Sequence, residues 1–319
     1  MSENTGPAPE LSVIVPVFNE SENLRTLVAR LVAALDCVAS FEVIFIDDGS
    51  SDDTLAVLRS LNVQDSRLRA LSFSRNFGKE IAIAAGVDAA RGRAAVIMDA
   101  DLQHPPEVIA EFVAKWREGY QNIYGVRRSR NTDTRARKWL TGHFYNLFRF
   151  FSEIDMPDGA GDFRLLDRRA LDALRSLRER ARFNKGLYAW IGFKSIGVPF
   201  EVAERNAGAS KFSYVQLARF ALDGIVSFTT VPLKAWTYIG LAVAAFALAN
   251  AAYYLLEVLI FGVSVPGFAS LIVSIMFFAG VQMISLGVLG EYIGRVFAEV
   301  KGRPLYLVAE KVGEAERNG

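Results

Sequence analysis

Two aspartates separated by one residue, Asp99-Ala-Asp101, with Gln103 close behind, are the part of this sequence best suited to chemistry. The apolar run Ala94-Ala-Val-Ile-Met98 comes just before them and reads as a short buried strand. Both carboxylates therefore stand where a strand ends and a loop begins. There they can converge on one divalent cation. Hard oxygen ligands of this kind suit Mg2+ or Mn2+, with substrate phosphates completing the shell. The competing reading is a solvated turn that opens a helix, with Pro105 and Pro106 near its first turn.

The elements that must position this pair alternate. Leu11-Ser-Val-Ile-Val-Pro-Val-Phe18 reads as a first buried strand, closed by Asn19-Glu20. Apolar residues at Leu24, Leu27, Val28, Leu31 and Leu35 predict a helix, with Ser21 as its N-cap. A second strand, Phe41 to Ile46, ends in Asp47-Asp-Gly-Ser-Ser-Asp-Asp-Thr54 and is followed by a helix from Leu55 to Leu61. Leu68 to Phe73 is a third strand, and a helix from Lys79 to Ala90 precedes the Ala94 strand. Strands alternating with helices imply an α/β fold with a mostly parallel sheet.

In such sheets ligands bind beyond the carboxyl ends of the strands. Asn19-Glu20, Asp47-Asp48 and Asp99-Ala-Asp101 all land there. No Gly-x-Gly-x-x-Gly follows the first strand and no Walker-type glycine and lysine loop is present, which argues against a nicotinamide enzyme or a P-loop NTPase. Acidic strand ends suit a nucleotide held by hydrogen bonds to base and ribose. Its diphosphate must then be held through a metal, because a carboxylate repels phosphate unless a cation intervenes.

The 319 residues allow one large or two modest domains. A formal charge of +1 without a basic domain argues against nucleic acid as a partner. The single Cys37 excludes an internal disulfide framework and fits a reducing compartment. Mean hydropathy is +0.21, and the excess lies in the last third. Residues 235–256 and 268–290 carry no charge, and each run exceeds the ~20 residues needed to cross a bilayer core. Lys234 precedes them, Arg295, Lys301 and Arg303 follow, and the connector 257–267 has no lysine or arginine. The positive-inside rule then places both termini in the cytoplasm. The competing reading is a buried helical hairpin in a soluble core. Upstream, the basic residues between Arg127 and Lys138 run into the aromatic stretch Trp139 to Phe151. That stretch suits either a membrane interface or ordinary core packing.

Pro16-Val-Phe-Asn-Glu20, Ile46-Asp-Asp-Gly-Ser50, Asn76-Phe-Gly-Lys79 and Asp99-Ala-Asp-Leu-Gln103 resemble the family 2 glycosyltransferases of GT-A fold. Gly161-Asp-Phe-Arg-Leu165, Gly208-Ala-Ser-Lys211 and Leu289-Gly-Glu-Tyr-Ile293 extend the resemblance over nearly the whole chain. Within that family the likeness is to enzymes that glycosylate polyprenyl phosphates, the dolichyl-phosphate mannose synthases and, more closely, the bacterial bactoprenol glucosyltransferases. The resemblance implies that Pro16, Phe18, Glu20, Ile46, Asp48, Lys79, Asp99 and Ala100 bind the nucleotide. Phe18 stands where a tyrosine is common. Asp99, Asp101 and Gln103 would hold the metal, and Arg127, Arg205 and Lys211 the phosphates of donor or acceptor. Asp162 and Arg164 would lie at the reaction centre beside Asp99 and Asp101, with Asp162 orienting the acceptor, acting as a weak base or pairing with Arg164.

The expected layout is a flexible arm (1–10), a GT-A domain (11–211) and a juxtamembrane amphipathic segment (212–233). Two transmembrane helices (234–294) and a cytoplasmic tail (295–319) complete it. The implied reaction moves a sugar, glucose first, from a UDP-sugar to undecaprenyl phosphate at the bacterial inner membrane. A homo-oligomer, a tetramer by the same resemblance, is expected. A processive polysaccharide synthase is the nearest enzymatic alternative, but its Gln-x-x-Arg-Trp motif is absent. A non-catalytic nucleotide-sugar sensor is the other.

Overall fold

The computed structural model describes residues 8–127, 160–180, 182–201, 231–261 and 267–313. The chain divides into two units, Met1–Ala221 together with Arg303–Gly319, and Leu222–Gly302.

In the first unit the β-branched runs become β1 (Leu11–Val17), β2 (Phe41–Asp47), β3 (Leu68–Phe73) and β4 (Ala94–Ile97). Between them lie α1 (Leu24–Leu35), α2 (Thr54–Gln64) and α3 (Lys79–Ala89). β1 pairs in parallel with both β2 and β4, and β2 with β3. Nearly every residue of these strands is buried, which is why they read as continuous apolar runs rather than as alternating ones. The leucines of α1 pack with Val13, Val15 and Phe45. α3 lies so close to β1 that a Cβ at Gly86 would collide with Ile14.

The chain continues through α4 (Ile109–Arg117), β5 (Asn122–Arg127), β6 (Ala160–Asp167), α5 (Arg168–Ser176), α6 (Asn184–Trp190) and β7 (Ser195–Phe200). With β8 (Val308–Val312) the sheet has the order β7-β5-β6-β4-β1-β2-β3-β8. β6 runs antiparallel between β4 and β5, and β8 runs antiparallel along β3. The remaining pairs are parallel, so the expected α/β fold with a mostly parallel sheet is present.

Two polar features fix this frame. At the amino ends of the strands, Glu42 accepts hydrogen bonds from the Ser12 hydroxyl (2.7 Å), Arg91 N (2.9 Å) and the Arg69 guanidinium (2.7 Å). Ser12, Glu42 and Arg69 are all buried. At the C-terminus of α3, Arg175 donates to the carbonyls of Val87 (2.8 Å) and Ala90 (3.0 Å), and Arg168 donates to those of Ala90 and Gly92. They satisfy carbonyls that a helix end leaves without partners. They also hold in place the helix whose first turn carries Lys79 and Glu80.

Three local expectations are corrected. Ser21 is not the N-cap of α1. Its amide donates to Asp52 (3.3 Å), and Asn23, which holds the cap position, donates its side chain to Glu20 (2.6 Å). The residues ahead of α1 serve the neighbouring loop instead of the helix. Pro9 and Glu10, assigned to the flexible arm, are fastened, because their carbonyls accept from Arg93 N (3.3 Å) and Ala94 N (3.1 Å). Those bonds extend the β1–β4 ladder backwards. The tail 295–319 is likewise not only a tail, since it contains the end of a helix and the edge strand β8.

The second unit contains α7 (Val231–Phe261) and α8 (Phe268–Val300). Val273–Val300 is long and apolar enough to cross a membrane, with a mean hydropathy of 1.9. Side chains such as Val273, Met276 and Phe277 lie on its outside. The run Trp139 to Phe151, the segment 212–233 apart from its last residues, Arg205 and Lys211 fall outside the described residues.

Candidate active site

The carboxyl ends of β1, β2 and β4 and the start of α3 enclose one open cleft of about 380 Å³. Its walls include Pro16, Phe18, Glu20, Asp48, Lys79 and the run Asp99 to Asp101. A cleft at this end of a parallel sheet is where an α/β fold takes ligands.

Adjacent aspartates divide the work at the end of β2. Asp47 accepts from Ser50 N (3.0 Å) and the Ser72 hydroxyl (2.7 Å), so it ties the turn to β3. Asp48 borders the cleft and accepts from Phe77 N (2.6 Å) and Gly78 N (2.9 Å). Burial pushes the Asp48 carboxyl above the usual carboxylate value, and those two amides pull it part of the way back. Gly49, at φ +72°, lets the turn approach the next loop, where a Cβ would sit 2.5 Å from the Arg75 carbonyl carbon.

After β4, Leu102 adopts a left-handed φ of 61° and Gln103 N donates to Asp101 Oδ1 at 3.1 Å. The backbone thus curls around the second aspartate. Behind the first, buried His104 accepts from Asp99 N through Nδ1 (3.2 Å). Its ring stacks on Phe163 (4.8 Å, 9°) and meets Phe200 edge-on (5.9 Å). Burial lowers the His104 pKa, so the ring is neutral, and with Nδ1 accepting its proton resides on Nε2. His104 is a strut under Asp99.

Lys79 joins two regions that lie far apart in sequence. Its ammonium is 2.6 Å from Asp99 Oδ1 and 3.1 Å from Asp162 Oδ2. Burial works against its charge, but the two carboxylates outweigh it and raise its pKa. Asp162 is raised by burial and lowered more strongly by Lys79, Lys185 and Arg164, so it stays ionised at neutral pH. Its Oδ1 is buried without a hydrogen-bond partner among the described residues. Glu80, next to Lys79, accepts from Asn184 N (2.7 Å). Burial and then the charge of Asp162 push it up to about 7.

Pro16, Phe18, Glu20, Asp48, Lys79, Asp99, Ala100 and Asp101 all line this cleft. Asp162 joins them through Lys79. Ile46 does not, because its side chain is wholly buried in the strand. Gln103 meets Asp101 through its backbone amide. Arg164 is buried behind the cleft, with its guanidinium 3.6 Å from the centre of the Tyr188 ring and bonded to Gly161 O (2.6 Å). Among the described residues the ion pair of Asp162 is with Lys79 rather than with Arg164. Arg127 ends β5 and acts on His104 through its charge. The sequence gives no role to His104, Glu80 or Asn184, although His104 stands only five residues after Asp99. Its role is to accept a backbone hydrogen bond, which no motif marks.

The family model described as Glycosyl transferase family 2 matches residues 12–175. The chain belongs to glycosyl transferase family 2. An uncharacterized glycosyltransferase of Synechocystis sp. is 48% identical over 95% of this chain and 96% of its own length. A prophage bactoprenol glucosyl transferase homolog of Escherichia coli is 43% identical over 94% of this chain and 98% of its own. A mannosyltransferase from Pyrobaculum calidifontis, solved with GDP-Man and Mn2+, superposes with a TM-score of 0.47 at 20% identity. That superposition covers 88% of this chain and 84% of that one.

In this glycosyltransferase, the residues present fit a divalent cation. Asp99 and Asp101 bring hard oxygens to one strand end, and an ammonium already sits against Asp99. Among the described residues no cluster of three or more acidic, histidine or cysteine side chains forms. A pair of carboxylates that leaves the other positions to phosphate and water is the pattern of Mg2+ or Mn2+, not of structural zinc.

Proposed function

We propose that this glycosyltransferase, a GT-A enzyme of the bacterial inner membrane, moves glucose from UDP-glucose to undecaprenyl phosphate with inversion. The observation that carries the reading is the bridge from Asp99 through Lys79 to Asp162. It sets a candidate diphosphate site and a buried, ionised carboxylate within reach of one ammonium. Relatives named bactoprenol glucosyl transferase, 41–43% identical over at least 94% of the chain, supply the sugar and the acceptor.

In this reading Phe18 and Asp48 flank the base and ribose, and Asp99 and Asp101, with Gln103 beside them, would hold Mg2+ or Mn2+. That ion supplies charge for the departing diphosphate. An acceptor phosphate oxygen attacks the anomeric carbon, the bond from that carbon to the diphosphate oxygen breaks, and UDP leaves. A phosphate monoester has a second pKa of about 6, so the nucleophile is already ionised and needs no strong base. Asp162, ionised and held by Lys79, orients the acceptor and the ammonium, with Arg164 packed behind it. Arg127, Arg205 and Lys211 neutralise the phosphates.

α7 is the first span of a membrane hairpin with α8, both termini are cytoplasmic, and four copies assemble. Light scattering of the detergent-solubilised protein measures that last point. The function is tested with radiolabelled UDP-glucose, undecaprenyl phosphate and Mg2+ or Mn2+ in detergent. A single labelled sugar extracted with the lipid is expected. A labelled polymer, or no transfer from any UDP-sugar, would sink the proposal.

A further inference from the structure

After α8 the chain returns to the sheet of the first unit. β8 pairs along β3, and Glu310 forms an ion pair with Arg59 (2.6 Å). Just ahead of the strand, Leu307 O accepts from Ser74 N at 3.0 Å. The Tyr306 ring lies nearly flat on Phe73, with centroids 5.1 Å apart at 20°. Its hydroxyl donates to Asp88 (3.0 Å), which also takes Arg178 (2.8 Å). None of these residues lines the cleft, yet they hold the root of the loop 74–78.

The other side of that loop does border the cleft. Phe73 meets Phe77 edge-on at 5.6 Å, and the amides of Phe77 and Gly78 are the ones that Asp48 accepts. Arg75 places its guanidinium 4.1 Å from the centre of the Phe77 ring, while its backbone presses on Gly49. The loop is therefore clamped between the Asp48–Gly49 turn on one side and Tyr306–Leu307 on the other.

We infer that Tyr306, acting through Phe73 and Phe77, is a positioning residue for the donor nucleotide, because it fixes the loop whose amides orient the Asp48 carboxylate. This rests on the assignment of the cleft to a nucleoside diphosphate. Loss of the ring lets Phe73 and Phe77 repack and gives the two amides freedom. The cost falls on donor binding. Acceptor affinity is spared, and so is the rate at saturating donor.

The test uses the full chain in detergent, with initial rates measured against UDP-glucose and against undecaprenyl phosphate. Tyr306→Ala should raise KM for UDP-glucose by about tenfold, the size of one lost aromatic pair, and leave KM for the lipid within about twofold. Tyr306→Phe keeps the stacked ring and should return the donor KM to within about twofold of wild type. Hydrogen exchange at Phe77 and Gly78 should quicken in Tyr306→Ala but not in Tyr306→Phe. That measurement does not depend on which sugar the donor carries. If Tyr306→Ala fails to accumulate, Tyr306→Leu must show the same rise in donor KM and the same faster exchange.

A wild-type donor KM in Tyr306→Ala, or a loss of active fraction with every KM unchanged, overturns the positioning role. Asp48→Asn, run alongside, separates the two readings. If it leaves the donor KM unchanged, the nucleotide assignment itself falls. If it raises that KM while Tyr306→Ala does not, only the positioning role falls.

Discussion

The same sheet has a charged cluster at each end, and the two clusters are built differently. At the amino ends, Glu42 takes hydrogen bonds on both oxygens from Ser12, Arg91 N and Arg69, and the side chains of Ser12, Glu42 and Arg69 are buried. At the carboxyl ends, Lys79 is shared between Asp99 and Asp162 while 42% of its side chain stays exposed, and Asp162 Oδ1 has no partner among the described residues. A buried carboxylate bonded on both oxygens rigidifies the fold around it. An under-satisfied one keeps capacity for a ligand. The contrast matches stability at one end of the sheet and the proposed chemistry at the other.

The largest test of that contrast is Glu42→Ala. It leaves Arg69 buried without its carboxylate, and breaking such a pair costs about 3–5 kcal/mol. Denaturant unfolding should show this loss, while the folded fraction keeps the wild-type KM for UDP-glucose. A changed KM at intact stability would break the division between the two ends.

Asp101→Asn should do the opposite. Removing one charged oxygen at constant size lowers transfer by at least ~10²-fold, the scale of a lost electrostatic contact in a transition state. The melting temperature should stay close to wild type. Activity in excess chelator would remove Asp99 and Asp101 from the role of metal holders.

Lys79→Met sharpens the picture from the cation's side. Two carboxylates lose their shared ammonium, and transfer should fall roughly tenfold, in line with one charge-assisted hydrogen bond. Mn2+ added without nucleotide should raise the melting temperature of Lys79→Met more than that of wild type, since Asp99 is no longer engaged. An equal rise in both proteins would show that the lysine does not compete for that carboxylate.

The smallest expected effect is a pH dependence. Burial and the charge of Asp162 raise Glu80 from 4.5 to about 7. Between those values the folded chain binds a proton that the unfolded chain has lost. This contribution to stability is full below 4.5 and fades as pH rises through 7. Glu80→Gln keeps an acceptor for Asn184 N but cannot ionise. Its melting temperature should gain on wild type between pH 5 and pH 8. Parallel pH profiles for the two proteins would show that Glu80 titrates normally.

Local order was legible in the residues. Runs such as Val13 to Val17 and Val43 to Ile46 have few conformational choices other than buried strand, and the leucine spacing of α1 has few other than helix. The placement of Asp48, Asp99 and Asp101 followed from one rule about where parallel strands end, and the cleft contains all three. Ile46, which the family resemblance adds to the nucleotide site, keeps its side chain wholly buried, because a motif identifies the backbone that reaches a site but not which face of the strand a side chain takes.

Sequence alone determined the strand and helix alternation, the acidic strand ends and the long apolar run of α8, since each depends on residue types within a few positions. Tertiary structure decided what depends on partners far along the chain. Val308–Val312 is a short alternating stretch, and the open edge of β3 makes it a strand. Lys79 carries no mark that it will reach Asp162, which lies more than eighty residues on, until β6 inserts antiparallel beside β4. His104 and Tyr306 act through a backbone amide and a ring face, and neither contact leaves a pattern in the residues nearby. Local propensity acts over a few ångströms of chain, whereas a pairing between distant residues exists only once the sheet has set their separation.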